Sequence, residues 1–358
     1  MSMPSVIAWE STRACNYACA HCRAEAQKEP DPDQLTTQEV IKLVDQISEL
    51  SRPIFIISGG DPLKRGDVFE IASHASEKGL RVVMSPSGSN ITPRVVEDML
   101  RARIRRISIS LDGSTKDVHD EFRGVSGAFG TALSGISYAR AGGLAFQVNT
   151  TVSQHNLSDL PNILSLATNL GAVSWDVFML VPTGRGRVDM EISPQQYEET
   201  LNFIYKSSLT SKIPIKMTCS PHYIRVISQR EQESLLNQDN GSSEGDKITK
   251  VQKKVHGGRG CMVGNGYYFI SHIGKVYGCG FLPIPAGDIH NQSLKEIYLH
   301  SNLFKDLRNR ELLQGKCSLC EYKYICGGCR ARAFSIDQNL FGEEPYCTYM
   351  PPRRFSLD

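Results

Sequence analysis

No uninterrupted hydrophobic run in this chain approaches the roughly 20 residues that a bilayer-spanning helix needs, so no membrane span is expected. The residues before Trp9 lack the basic, apolar and small-residue succession of a secretory leader, which points to a cytoplasmic protein. An excess of one charge is missing as well. Forty basic against 38 acidic residues leave a net +2, which gives no general pull toward nucleic acid or an anionic membrane. Cysteine is absent from residue 23 to residue 218, so the compact run Cys15, Cys19, Cys22 stands one ligand short of a four-coordinate site.

What is present is an ordinary globular composition, 40% hydrophobic and 22% charged over 358 residues, enough for a substantial core and for two domains. Eleven cysteines without an export signal point to metal binding rather than disulfides. A helix is expected over 37–50, opened by a capping box from Thr36 to Glu39, and a strand over 54–57. Helices over 68–78, 92–102, 127–141 and 157–170 then alternate with strands over 81–84, 104–111, 146–152 and 173–181. With the strand over 5–9, six strands alternating with helices predict a parallel sheet with right-handed crossovers. Turn-rich residues 182–186 and a helix near 194–206 read as a bridge, and 238–254 as a polar linker.

The run ACNYACAHC sits directly after the first strand, and in α/β barrels the carboxyl ends of strands carry the chemistry. Structural zinc and cubane iron-sulfur sites both take four protein ligands, so three thiols leave an iron open. Three buried small residues, or a zinc site completed from elsewhere, are the other readings. The tight spacing and the polar flanks Asn16 and His21 favour the open iron. On these residues the chain resembles the radical S-adenosylmethionine (SAM) superfamily. The resemblance implies a partial (β/α)6 barrel, a [4Fe-4S] cluster on Cys15, Cys19 and Cys22, and SAM chelated to its open iron and cleaved to a 5′-deoxyadenosyl radical.

The loop Ser58-Gly59-Gly60-Asp61-Pro62 is similar to that family's Gly-Gly-Glu-Pro stretch, which holds the methionine amine; Asp61 is one methylene shorter. The same resemblance makes Gly59, Gly60, Asp61, Ser85, Ser110, Arg123 and Asn149 candidate SAM contacts, Arg123 for the carboxylate. Strand-end polar residues also cap helices, and Arg123 paired with Glu121 is the structural alternative.

A second group, Cys261, Cys279, Cys317, Cys320, Cys326, Cys329 and Cys347, is spaced C-x12-G-x4-C, C-x2-C-x5-C-x2-C and a final cysteine. Two zinc ribbons use similar knuckles. After the triplet, the pattern resembles the SPASM iron-sulfur domain, with Gly274 at its hairpin. The resemblance implies one or two auxiliary [4Fe-4S] clusters: one on Cys317, Cys320, Cys326 and Cys347, another on Cys261, Cys279 and Cys329, with Cys219 or His256 open as its fourth ligand. The resulting organisation is a barrel over 1–190, a bridge and linker over 191–255, and a small cysteine-rich domain over 256–358.

HCRAEAQ, ICGGCRARAF and GEEPYC resemble porphyrin-modifying members, the radical SAM heme synthases and heme d1 maturases. That likeness implies oxidative decarboxylation of two propionates of iron-coproporphyrin III to vinyl groups, giving heme b, with a ferredoxin or flavodoxin as electron donor. Arg185, Arg187 and Arg259 are candidate propionate anchors, and His222, His256 and His272 candidate ligands of heme iron. A SPASM maturase acting on a ribosomal precursor peptide, heme d1 maturation and a non-catalytic zinc scaffold are the alternatives.

Overall fold

The computed structural model describes residues 2–238 and 260–352. His256, Arg259 and nearly all of the polar segment expected as a linker lie outside the described residues.

Six strands stand where the alternation placed them: β1 (Val6–Glu10), β2 (Ile54–Ser58), β3 (Arg81–Met84), β4 (Ile107–Ser110), β5 (Phe146–Val152) and β6 (Trp175–Met179). Each pairs in parallel with the next. The sheet is larger than expected. A seventh parallel strand, β7 (Ile215–Thr218), extends it beyond β6, and β8 (Tyr267–Ile270) pairs in parallel with β1 on the other side. A hairpin from β8 to β9 (Lys275–Tyr277), followed by β10 (Pro285–Asp288), closes the order β10-β9-β8-β1-β2-β3-β4-β5-β6-β7. The sheet is open, since β10 and β7 are its two edges. Four residues with one side half-buried gave β7 too short a pattern to register.

The helices follow from caps and periodicity. Helix α1 (Thr37–Leu50) begins at the expected capping box, Thr36 accepting from the Glu39 amide while the Glu39 carboxylate accepts from the Thr36 amide. It buries Val40, Leu43, Val44 and Ile47, a stripe of helical period. Helices α2 (Val68–Glu77) and α3 (Pro93–Arg101) follow in turn. A helix absent from the sequence reading, α4 (Lys116–Arg123), precedes α5 (Ala128–Ala141) and ends at Gly124. Then come α6 (Leu160–Leu170), α7 (Pro194–Thr210), four residues longer than expected, and α8 (Tyr223–Gln238).

On β5, Val148, Thr150 and Val152 are buried in the core, so alternation puts Asn149 and Thr151 on the opposite, inner face. Trp175 donates to Thr150 Oγ1 at 2.8 Å within that core. One apolar cluster runs from Ile7 and Trp9 through to Tyr298, Phe304 and Ala331. The cysteine-rich segment therefore shares core and sheet with the strands before it. Its helix α9 (Leu294–His300) docks on α1, with the Leu294 amide donating to Gln46 Oε1 at 2.8 Å.

Candidate functional site

One cavity of about 950 Å³, open mouth included, lies at the carboxyl ends of β1 to β6, within the size range of ligand sites. Cys15, Cys19 and Cys22 line it together with Gly59, Gly60, Ser85, Ser110 and Arg123. The strand ends thus bring together most of the residues selected from sequence. Asp61 and Asn149 are not on its wall. Asp61 is fully buried behind the glycines, where its carboxylate accepts from the Leu63 amide (3.1 Å), Ser87 Oγ (2.7 Å) and Asn90 Nδ2 (3.0 Å). Asn149 Oδ1 accepts from Gln147 Nε2, which also donates to Asp176.

The cysteine loop is held from several sides. The Gly60 and Asp61 amides donate to the Thr12 and Ala14 carbonyls, each at 2.7 Å. This approach requires glycine: a Cβ on Gly60 would lie 2.5 Å from the Ala14 carbonyl oxygen and 2.6 Å from that of Arg13. The Ala18 and Ala20 amides donate to the last carbonyls of α4, those of Arg123 and Phe122. Beneath the loop, Cys15, Tyr17, Cys19 and Ala128 form a small apolar nest of their own.

Turn residues 182–186, expected as a bridge, press on the same loop. The Arg185 amide donates to the Cys22 carbonyl (3.1 Å), its Nε to the Cys19 carbonyl (2.9 Å) and its Nη1 to the Ala26 carbonyl (3.0 Å). Arg185 is therefore committed to the loop rather than free to anchor a propionate. Arg187 is exposed and paired with Asp189. His272 is spent as well: Nδ1 meets Glu10 at 2.7 Å and Nε2 meets Asp31 at 3.0 Å, which leaves no nitrogen for heme iron. Burial would raise the Glu10 carboxyl, but Arg23 and His272 together hold it down at about 2.

Arg123 does not pair with Glu121. It forms an ion pair with the fully buried Asp112 and donates Nη1 to Cys19 Sγ at 3.7 Å, while its Nε lies buried with no partner. Burial would raise the Asp112 carboxyl, yet Arg123, helped by His21 and His119, holds it down. Sequence reasoning missed the wall contributed by Tyr17, Arg23, Thr151, Phe178, Met179, Val181 and Phe281. Tyr17 and Arg23 flank the triplet closely enough to have been singled out; Phe281 reaches the cavity from after β9 and had no local signal.

The three sulfurs fit an iron-sulfur cluster. Each accepts a hydrogen bond, Cys15 from the Tyr17 amide (3.4 Å), Cys22 from the Ala26 amide (3.4 Å) and Cys19 from Arg123, an arrangement that favours thiolate. Burial nevertheless pushes the Cys15 thiol up to about 11, so iron is needed to ionise it at neutral pH. The cavity wall holds no fourth cysteine.

In the C-terminal segment the cysteines fall into two electrostatic groups. Cys326 feels Cys317 and Cys347, as does Cys320, whereas Cys279 feels Cys329 and Cys261. The Gly328 amide donates to Cys326 Sγ and the Glu344 amide to Cys317 Sγ, each at 3.4 Å. Among the described residues, no three His, Cys, Asp or Glu side chains crowd around a single ion's position. Between the groups lies Arg332, fully buried, with Glu191 at 3.2 Å and Glu344 at 3.4 Å. His222 is buried beside Tyr197, its two ring nitrogens unpartnered.

Comparison with known proteins agrees with this geometry. Residues 9–167 match the Radical SAM superfamily, and residues 261–322 match SPASM, an iron-sulfur cluster-binding domain. An AdoMet-dependent heme synthase of Methanosarcina barkeri is 43% identical over 98% of this chain and 98% of its own length. Another from Nitratidesulfovibrio vulgaris is 45% identical over 97% of this chain and 93% of its own. Among solved structures, Streptococcus suis SuiB bound to its precursor peptide SuiA superposes with a TM-score of 0.73 at 15% identity, over 98% of this chain and 77% of that one, which shows the fold. The chain is a radical SAM enzyme with a SPASM iron-sulfur domain, and belongs to the family that includes these AdoMet-dependent heme synthases.

Proposed function

We propose that the chain acts on a porphyrin, converting two propionates of iron-coproporphyrin III to vinyl groups and so giving heme b. What carries the reading is near-full-length identity of 43% and 45% to the two AdoMet-dependent heme synthases. A [4Fe-4S] cluster on Cys15, Cys19 and Cys22 with SAM bound would supply a 5′-deoxyadenosyl radical able to take a hydrogen from a propionate side chain. The chain's own residues shape the rest. Phe178, Met179, Val181 and Phe281 give the cavity an apolar wall suited to a flat macrocycle.

For SAM we assign Gly59, Gly60, Ser85, Ser110 and Arg123, which line the cavity, with the unpartnered Arg123 Nε as a donor for the methionine carboxylate. Asp61 acts from behind through Ser87, a wall residue whose hydroxyl it accepts from. Asn149 lies deeper on β5 and contributes through Thr151, two residues along on the same face. Auxiliary clusters on the C-terminal cysteines would receive the electron released with carbon dioxide, and a ferredoxin or flavodoxin would reduce the first cluster. All eleven cysteines are free thiols, in keeping with a cytoplasmic setting.

The test is anaerobic incubation with iron-coproporphyrin III, SAM and a strong reductant, followed by mass spectrometry. Loss of carbon dioxide from each of two propionates, with 5′-deoxyadenosine formed alongside, is expected. Deoxyadenosine without any decarboxylated porphyrin would overturn the substrate assignment and leave a peptide substrate to be sought.

A further inference from the structure

Cys219 is the one cysteine that neither the triplet nor the seven-cysteine pattern absorbs. It follows β7, the strand the alternation did not foresee, and that strand carries it to the C-terminal cysteines. The apolar cluster that spans the molecule includes Cys219, Cys261, Cys279 and Cys329, and it includes none of Cys317, Cys320, Cys326 and Cys347. Packing alone thus divides the eight into two sets of four.

The position of Cys219 is fixed by the element that presents Cys329. Arg332, three residues past Cys329 on helix α10 (Arg330–Asp337 in chain order after α9, with two short helices between left unlabelled), donates Nη1 to the Cys219 carbonyl at 3.0 Å. Arg332 is itself locked by Glu191, Glu344 and the Leu180 carbonyl at 2.7 Å. The backbone of Cys219 is left-handed, φ 60°, a conformation that a side chain adopts at a cost. Burial pushes its thiol well above the ordinary range, and Cys329, Cys279 and Cys261 push it further. Four thiolates gathered in this way are stable around iron and unstable without it.

We propose that Cys219 is the fourth protein ligand of the auxiliary iron-sulfur cluster held by Cys261, Cys279 and Cys329, and that it closes this cluster to substrate. The proposal rests on the auxiliary-cluster reading above. Ligation exchanges the S–H bond of Cys219 for an S–Fe bond, and the proton leaves to solvent, so no oxidant is required. With four thiolates the cluster has no iron left to bind a porphyrin or a second SAM, which leaves it electron passage.

The experiment uses the full chain with Cys15, Cys19 and Cys22 all changed to Ala, so that the SAM-site cluster is gone and the auxiliary clusters remain. Iron and sulfide are counted after anaerobic reconstitution, and electron paramagnetic resonance (EPR) of the reduced protein is recorded with and without added cyanide and imidazole. With Cys219 present, the spectrum should not respond to either ligand. Adding Cys219→Ser or Cys219→Ala should either open the cluster, seen as a shifted spectrum with cyanide, or lower the iron content by about four per chain. A response to cyanide while Cys219 is intact, or Cys219→Ala with unchanged iron, spectrum and ligand response, would overturn the proposal. Cys279→Ala separates the two readings: if it too leaves iron and spectrum unchanged, the auxiliary cluster itself is absent.

Discussion

Replacing Arg185 separates two jobs that an arginine near this cavity could have. As a propionate anchor it would set substrate affinity; as the structure places it, it clamps the loop that carries Cys19 and Cys22. Arg185→Ala removes two hydrogen bonds from a charged donor to backbone carbonyls, at 2.9 and 3.0 Å. Such bonds contribute about 1.5–3 kcal/mol each, and water recovers part at a half-buried site, so a net loss of about 3 kcal/mol is expected. That is roughly a hundredfold in the equilibrium between closed and open loop. Arg185→Lys keeps the charge but not the fork that spans both carbonyls, and should lose nearly as much. The assay is iron and sulfide content after anaerobic desalting, beside 5′-deoxyadenosine formation and the KM for porphyrin. Iron content and deoxyadenosine should fall together, with KM for the surviving holoenzyme unchanged. Full iron retention with a raised porphyrin KM would refute the clamp and restore the anchor.

Gly60→Ala should lower the thermal midpoint and destabilise by about 2–4 kcal/mol, because both neighbours of the new methyl are backbone; Gly66→Ala, with nothing within 4 Å, is the control and should change little. Arg332→Met leaves the buried Glu191 and Glu344 without their cation and should cost about 3–5 kcal/mol in denaturant unfolding; an unchanged midpoint would count against the network. Burial, with Arg123 nearby, lowers His119 from its ordinary 6.5 to about 4, and its Nδ1 accepts from the Asp112 amide at 3.2 Å. Its folded value lies below its unfolded one, so the stability it contributes is complete above pH 6.5 and drains away as pH falls toward 4. At 1.36 kcal/mol per pH unit the total is about 3 kcal/mol. His119→Gln should flatten the pH dependence of unfolding across that window by up to one proton, and coincident slopes would show that His119 does not titrate as described.

Sequence made the first cluster loop legible because its chemistry is local: three thiols in eight residues after a strand, and paired glycines where the second loop packs on the first. The six alternating strands were legible for the same reason, each being long enough to show a period. What stayed hidden depends on distance. Arg185 looked like a free cation in a glycine-rich turn, and nothing near it in the chain shows that Cys19 and Ala26, some 160 residues earlier, supply its acceptors. His272 looked available until the fold brought Glu10 and Asp31 to its ring. Strands β7 and β8 owe their place to neighbours β6 and β1 rather than to any pattern of their own. Asp112, already noticed beside Ser110, gained its meaning from α4, which carries Arg123 to it.

The central claim is an iron at the Cys15, Cys19, Cys22 loop that the protein leaves free for SAM. It is tested most directly by EPR of the reduced, anaerobic protein bearing Cys317→Ala and Cys279→Ala, so that the loop's own cluster dominates, recorded before and after SAM is added. A shifted spectrum on addition, lost together with 5′-deoxyadenosine when Cys19→Ala is introduced, is the predicted result. A spectrum indifferent to SAM, with iron present at the loop, would contradict the account.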